Sequence, residues 1–379
     1  MSAVATPRST TRAPGAALPG AKTSPDSVAP MPLEHEDLVV HRGSRSGHYV
    51  IVAVHSTALG PALGGVRLWH YPATTDAVRD ALRLARGMTF KAAAAGLSLG
   101  GGKGVICGPR HAAAEPERRD LLLDFGDLVE SLGGRYVTAE DVGISPPDLV
   151  AIRERTAHVT GLPPERGGSG DPSPFTALGV EAAMRACARV RLGSPELAGL
   201  RVVVAGLGHV GEKLARRLVE HGADVAASDI DPAKRRIAEE MGARWIEPDE
   251  EIVAECDILA PCALGGAIDA ANLPLLRCDI VCGCANNQLA DESLAESLAE
   301  QGILYAPDFV VNAGGLIHVY REIRGYSEER ARELVRGIEQ NVASILRTAN
   351  EREITPLDAA RAIAMERLET ADAEQPAAA

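Results

Sequence analysis

Lysine is scarce in this chain. Lys and Arg together number 39 of 379 residues, and lysine stands only at positions 22, 91, 103, 213 and 234. Arginine supplies every other cation. Basic charge as a whole is in deficit, since 52 Asp and Glu leave a formal net charge of −13. That balance argues against nucleic acid or anionic membranes as partners. It leaves acidic small molecules open, because a local pair of cations overrides the mean field. Long apolar runs are also missing. None reaches the ~18 residues of a spanning helix, and the N-terminal stretch lacks a signal-peptide apolar core. The seven cysteines form no repeated CxxC, no HExxH surrounds any histidine, and there is no internal repeat. Cys278, Cys282 and Cys284 fall in the apolar run CDIVCGC and read as small hydrophobes on a buried strand, so no metal is expected. Together these features fit a reduced cytoplasm.

What is present is ordinary globular material, 46% hydrophobic and 24% charged. The length suits two domains at roughly 100–200 residues each. Residues 1–32, rich in Ala, Pro, Ser and Thr, read as a disordered tail, as do 371–379. From Asp37 a hairpin pattern runs through LVVHR, GSRSG and HYVIVAVHS. A helix follows from its N-cap at Thr75 to about Met88, then another over 117–132 and a strand over 135–139. The segment GLPPERGGSGDPSP (161–174) is the sharpest break in composition and marks a boundary. Beyond 200, short apolar strands alternate with helices: RVVVAG, DVAASD, DILAPC, DIVCGC and ILYAP. That rhythm predicts an α/β protein with a doubly wound parallel sheet in its second half. The expected division is 33–160, completed by helices over 346–370, and 161–345.

Gly206-Leu207-Gly208-His209-Val210-Gly211 is GxGxxG, and it joins an apolar strand to a helix. Eighteen residues beyond Gly211, Asp229 closes the next strand. This is the dinucleotide-binding arrangement. Gly206 permits the turn, Gly208 admits the pyrophosphate to the backbone, and Gly211 lets helix and strand pack closely. The helix N-terminus, with Glu212 in its first turn, meets the phosphate charge. Asp229 suits ribose hydroxyls and repels a 2′-phosphate, which favours NAD over NADP, although Lys234, Arg235 and Arg236 lie nearby. His209 reads as a variable position facing solvent or cofactor. Structural glycines alone, or an adenosylmethionine-type site, are the alternatives.

The stretch MTFKAAAAGLSLGGGKGVI (88–106) is uncharged apart from Lys91 and Lys103. This chain uses arginine for generic charge, so lysine here suggests an amine that must titrate. Two neighbouring cations in an apolar setting lower one another's affinity for protons, which makes a base usable near neutral pH. Gly100, Gly101 and Gly102 are expected to leave room for substrate, and Gly104 to loosen a loop that carries Lys103. Glu140 and Asp141 end the strand RYVTA, where an active-site acid commonly stands.

Taken in order, GPALGGVR, MTFKAAAAGLSLGGGKGVI, RYVTAEDVG, GDPSPFTALGV, VAGLGHVG, APCALGG, CANNQLA and ILYAPDFVVNAGG resemble the glutamate, leucine, phenylalanine and valine dehydrogenase family over residues 35–370. The resemblance implies a cleft between two domains, a homo-oligomer, and reversible oxidative deamination. Hydride passes from the substrate Cα to NAD⁺, water attacks the resulting iminium, and ammonia leaves a 2-oxo acid. It makes Lys103 the base acting on water, Lys91 the partner of the α-carboxylate, and Asp141 the acid that exchanges protons with the amino group. It also implies that Gly64 lies in a substrate-side loop, that Asn287 contacts the carboxylate, and that Thr176 contacts the nicotinamide carboxamide.

Leu63, Ala139, Leu316 and Val319 are the implied walls of the side-chain pocket, and none is charged. An unpaired buried carboxylate is costly, which argues against glutamate. Leu63 and Leu316 shorten the pocket, which favours valine or leucine. Against that, His318 and the segment 314–329 resemble the phenylalanine branch more closely, so an aromatic substrate is the alternative. A catalytically silent NAD-binding regulator is a third reading, opposed by the intact Lys91, Lys103 and Asp141.

Overall fold

The computed structural model describes residues 34–109 and 114–374. The expected N-terminal tail lies outside the described residues. So do 375–379, whereas 371–374 continue the last helix, contrary to the expected tail.

The first half is built on a five-stranded sheet. Its strands are β1 (Asp37–Arg42), β2 (Tyr49–Ser56), β3 (Ala62–Trp69), β4 (Gly100–Cys107) and β5 (Tyr136–Glu140). Their spatial order is β1-β2-β4-β3-β5. The β1–β2 hairpin and the β2–β4 pair are antiparallel, while β3 runs parallel to both β4 and β5. Helices α1 (Thr74–Ala94), α2 (Glu117–Ser131) and α3 (Pro146–Arg153) complete this half. Buried Ala77, Ala81, Leu82 and Ala85 of α1 pack with Ile51, Ala53 and Val105 of the sheet. On the other face Leu121, Leu122, Phe125 and Val129 of α2 pack with Val50, Val52 and Ile106. α3 opens with a capping box in which Ser145 and Asp148 satisfy each other's backbone N–H groups.

Two sequence expectations change here. The first helix starts after Ala73 rather than at a Thr75 cap, and runs on to Ala94, so Lys91 stands in its last turn. The alanine run KAAA has high helix propensity, and the break falls at Gly96, whose φ of +75° lies in the left-handed region. The second change concerns glycine. Gly100 to Gly104 belong to the central strand β4 and not to a substrate loop. A Cβ on Gly101 would fall 2.0 Å from the Thr89 backbone nitrogen, and one on Gly104 would fall 2.5 Å from the Phe125 ring. These glycines let α1, α2 and β5 close directly onto the strand, which holds Lys103 on rigid structure. Gly64 likewise lies within β3, not in a loop.

The second half begins at α4 (Ser173–Arg191), buried along most of its length. Then come β6 (Arg201–Ala205), α5 (His209–Glu220), β7 (Asp224–Ser228), α6 (Lys234–Glu240), β8 (Arg244–Trp245), β9 (Ile258–Pro261), β10 (Ile280–Val281), α7 (Leu294–Glu300) and β11 (Leu304–Tyr305). All six strands are parallel, in the order β11-β10-β9-β6-β7-β8. The strand order reverses between β6 and β9, the position where α/β sheets bind ligands. Helices α8 (Asp308–Val311), α9 (Gly314–Arg324), α10 (Glu328–Arg336), α11 (Ile338–Arg352) and α12 (Pro356–Glu374) follow. α11 packs on α4, and α12 crosses back to lie on α1.

The cysteines of CDIVCGC lie beside other thiols of this half. Cys282 is fully buried next to Cys187, and Cys284 is close to Cys262; the hydrogen bond with the neighbouring thiol, and then burial, push both upward in pKa.

Candidate active site

A cavity of about 370 Å³ lies between the ends of the two sheets. Its walls bring together Lys91, Lys103, Asp141, Gly64, Asn287, Leu63, Ala139, Leu316 and Val319, residues drawn from six separate stretches of chain. Thr176 is not among them. It sits in the first turn of α4, where its Oγ1 donates to the Pro172 carbonyl at 3.3 Å.

Lys103 projects from β4 and is 5% exposed. Its Nζ lies 2.8 Å from Asp141 Oδ2. Burial lowers its pKa, and the Asp141 charge opposes part of that fall. Asp141 follows β5. Burial pushes its carboxyl upward, but the charges of Lys103 and Arg67 outweigh burial and hold it below the usual carboxylate range. The two groups face each other at salt-bridge distance. Lys91 approaches from α1. Burial brings its pKa down to about 8, against the pull of Asp308 and with help from Lys103. Its Nζ is 3.5 Å from Asn286 Oδ1, a long contact. Asn286 is itself held by Asn312 Nδ2 at 2.7 Å. Asn287 stands beside it with φ of +52°.

Sequence reasoning missed several groups here. Arg67 lines the cavity and donates from Nε to Asp141 Oδ2 at 3.0 Å. Asp308, Asn286, Phe309 and Met88 line it too. The scarcity that made lysine stand out hid Arg67 among many arginines. His318, which suggested the aromatic branch, does not line the cavity. Its Nε2 faces the Ser169 carbonyl at 3.1 Å and its ring packs on Phe175. Glu322, one turn further along α9, accepts from the Gly161 N–H at 3.0 Å and the Ser169 N–H at 2.6 Å. One face of α9 thus grips the linker while Leu316 and Val319 face the cavity.

The glycine-rich loop fits a dinucleotide. Gly206 has φ of +107°, and a Cβ there would fall 2.8 Å from the Ala263 backbone nitrogen. On Gly211 it would strike the Gly206 carbonyl at 2.0 Å. On Gly208 it would meet nothing within 4 Å, which is the open cradle a pyrophosphate needs. Leu207 is buried, His209 is exposed, and Val210 lies between them in burial at the start of α5. Asp229 Oδ2 accepts from the Leu207 N–H at 2.7 Å and Oδ1 from the Asp231 N–H at 2.9 Å, so it also shapes the loop. The nearby cations are engaged: Lys234 with Glu212 at 3.6 Å, Arg235 with Glu239 at 2.9 Å and Arg236 with Glu240 at 3.4 Å. Each of these three cations thus faces a carboxylate of its own.

The profile described as Glu/Leu/Phe/Val dehydrogenase, dimerisation domain, matches residues 37–158. That of Glutamate/Leucine/Phenylalanine/Valine dehydrogenase matches 233–375. The chain belongs to the Glu/Leu/Phe/Val dehydrogenase family. An NAD-binding domain of the D-isomer-specific 2-hydroxyacid dehydrogenase type also matches, over 180–265. Leucine dehydrogenase of Thermoactinomyces intermedius is 45% identical over 89% of this chain and 91% of its own length. Valine dehydrogenase of Streptomyces virginiae is 45% identical over 89% of this chain and 94% of its own. Among solved structures of the family, L-tryptophan dehydrogenase from Nostoc punctiforme superposes with a TM-score of 0.80 at 41% identity, covering 90% of this chain and 98% of that one. The chain is thus an NAD-dependent amino-acid dehydrogenase with the two-domain α/β architecture of its family. Among the described residues, no helix is long and apolar enough to cross a membrane.

Proposed function

We propose that this dehydrogenase catalyses the reversible oxidative deamination of a branched aliphatic L-amino acid, valine or leucine. The observation that carries this reading is the cavity itself. Lys91, Lys103 and Asp141 gather at one side, and Leu63, Ala139, Leu316 and Val319 supply apolar walls. The one further cation in the walls, Arg67, is engaged by Asp141 and Asp80, and Glu140 and Asp308 add negative charge. A side-chain carboxylate would find no partner there, which sets glutamate aside.

Lys91 receives the α-carboxylate, whose arrival restores the proton affinity that burial removes. Asn287 and Asn286 flank that position. Ionised Asp141 accepts a proton from the substrate ammonium. Lys103, once neutral, takes a proton from water attacking Cα, and as a cation it stabilises the oxyanion that develops. NAD⁺, when bound, accepts the hydride released from Cα. Gly206, Leu207, Gly208, His209, Val210, Gly211, Glu212 and Asp229 form its cradle, with Thr176 toward the nicotinamide end. We assign 33–160 with 346–370 to the substrate domain and 161–345 to the cofactor domain, in a cytoplasmic homo-oligomer.

The test is NADH formation at 340 nm with L-valine, L-leucine, L-isoleucine, L-phenylalanine, L-tryptophan and L-glutamate, using NAD⁺ and NADP⁺ in parallel. The highest kcat/KM is expected for valine or leucine with NAD⁺. Preference for an aromatic substrate would show that the walls yield more than Leu63 and Leu316 suggest; pocket differences of this kind discriminate by only about 1–3 kcal/mol. Absence of turnover with all six would overturn the assignment.

A further inference from the structure

Arg67 touches the reacting groups through one carboxylate oxygen. Asp141 Oδ2 accepts from Lys103 Nζ at 2.8 Å and from Arg67 Nε at 3.0 Å. Behind it, Arg67 Nη1 donates to Asp80 Oδ2 at 2.8 Å, and the same oxygen accepts the Tyr71 hydroxyl at 2.7 Å. Asp80 Oδ1 is held in turn by Arg83 at 2.9 Å. The guanidinium thus spans two carboxylates, one in the cavity wall and one on α1. Arg67 and Asp80 are themselves mostly shielded from solvent, with side chains 22% and 16% exposed, so their charges are poorly screened.

We infer that Arg67 is a positioning residue for the deamination chemistry: it holds the same Asp141 oxygen that faces Lys103, and the Arg67–Asp80–Tyr71 network balances the charge that the Lys103 amine experiences. The inference rests on the reading of Lys103 as the base. The groups facing that amine come from every neighbouring element. Arg67 comes from β3, Asp80 and Lys91 from α1, and Asp141 from the end of β5. In β2 the residue in register with Lys103 is Ala53, which carries no charge. The Arg67 charge lowers the proton affinity of Lys103 and the Asp80 charge raises it. The two sides of one ion pair therefore act on Lys103 with opposite signs.

The scarcity of lysine supplies the measurement. With only five lysines in the chain, ¹³Cε-lysine labelling gives a spectrum of five resonances, and K103R identifies the one from Lys103. Its pH midpoint is to be followed in wild type, R67Q, D80N and Y71F. We expect R67Q to move the midpoint up by about one pH unit and D80N to move it down by a similar amount, the usual effect of a near charge. Y71F removes a hydrogen bond but no charge and is expected to stay within about 0.2 unit of wild type on the same grounds. R67K, which keeps the charge but cannot span both carboxylates, should fall between wild type and R67Q; it also serves if R67Q does not fold. Midpoints that move in the same direction in R67Q and D80N, or that move no further than in Y71F, would overturn the inference. The acid limb of kcat/KM for deamination should follow the midpoints, so that a fixed pH below the limb shows an approximately tenfold loss in R67Q. If the midpoints move in opposite directions and the limb does not follow, the network stands, and the reading of Lys103 as the base fails instead.

Discussion

Lys103 and Lys91 are two residues where the chain departs from its own habit of using arginine, and the structure places both beside one cavity, Lys103 buried and Lys91 half-buried. K103A removes the amine that pairs with Asp141. Turnover is expected to fall by about 10²–10⁴, while NAD⁺ binding, measured by calorimetry, stays within twofold of wild type. Loss of NAD⁺ binding in step with turnover would mean a collapsed fold rather than a missing base. Lys91 carries a stability signature as well. Its folded pKa, about 8, lies below the ordinary lysine value of 10.5. Between those values the unfolded chain holds more protons than the folded one, so stability rises with pH across that window. Below pH 8 both states are protonated and the burial penalty is fully present. K91M should therefore gain stability over wild type at pH 7.5, with the advantage shrinking by pH 9.5, in urea unfolding at both pH values. An advantage that is constant or grows with pH would refute the buried-amine account.

At the scale of elements, the glycine loop separates two reasons for using the same residue. A Cβ on Gly211 would collide with the Gly206 carbonyl at 2.0 Å, whereas one on Gly208 would stand in open space. G211A is expected to lower stability by about 1–3 kcal/mol, the usual cost of overpacking. G208A should leave the melting temperature unchanged and weaken NAD⁺ binding at least tenfold, because the methyl occupies the space left for phosphate. Differential scanning calorimetry and NAD⁺ titration on both variants check this. A melting temperature lowered equally in the two would erase the distinction. The central strand shows how such reasoning from sequence falls short. GGG before Lys103 suggests an open loop, yet β4 needs glycine because α1 and the Tyr136 ring press on it from its two faces. Composition reports that space is required and is silent on what fills it.

At the scale of the whole molecule, the end of the chain returns to support its beginning. α12 lies on α1, and Arg367 Nη1 donates to the Ala93 carbonyl at 2.8 Å, in the turn that carries Lys91. A cation at a helix C-terminus contributes about 0.3–1 kcal/mol. R367A is expected to lower the melting temperature slightly and raise the amino-acid KM severalfold, with NAD⁺ affinity unchanged. Initial-rate kinetics against each substrate separates these; weakening of both to the same degree would assign Arg367 to global stability alone. Glu322 acts at a similar range, joining α9 to the linker at Gly161 and Ser169.

The sequence alone determined the parallel sheet and the glycine loop, and it drew attention to Lys91, Lys103 and the acids Glu140 and Asp141. Each of these is written locally: apolar runs at strand length, glycines at fixed spacing, and a residue type used against the background of the chain. Tertiary structure decided what those residues do to one another. Arg67 meets Asp141 across 74 positions, and Lys91 lies near Asn286 across 195. Electrostatic coupling depends on distance and burial, and neither is set by neighbours in sequence. The order of the strands brings the charges together, and the exclusion of water gives their interaction its strength.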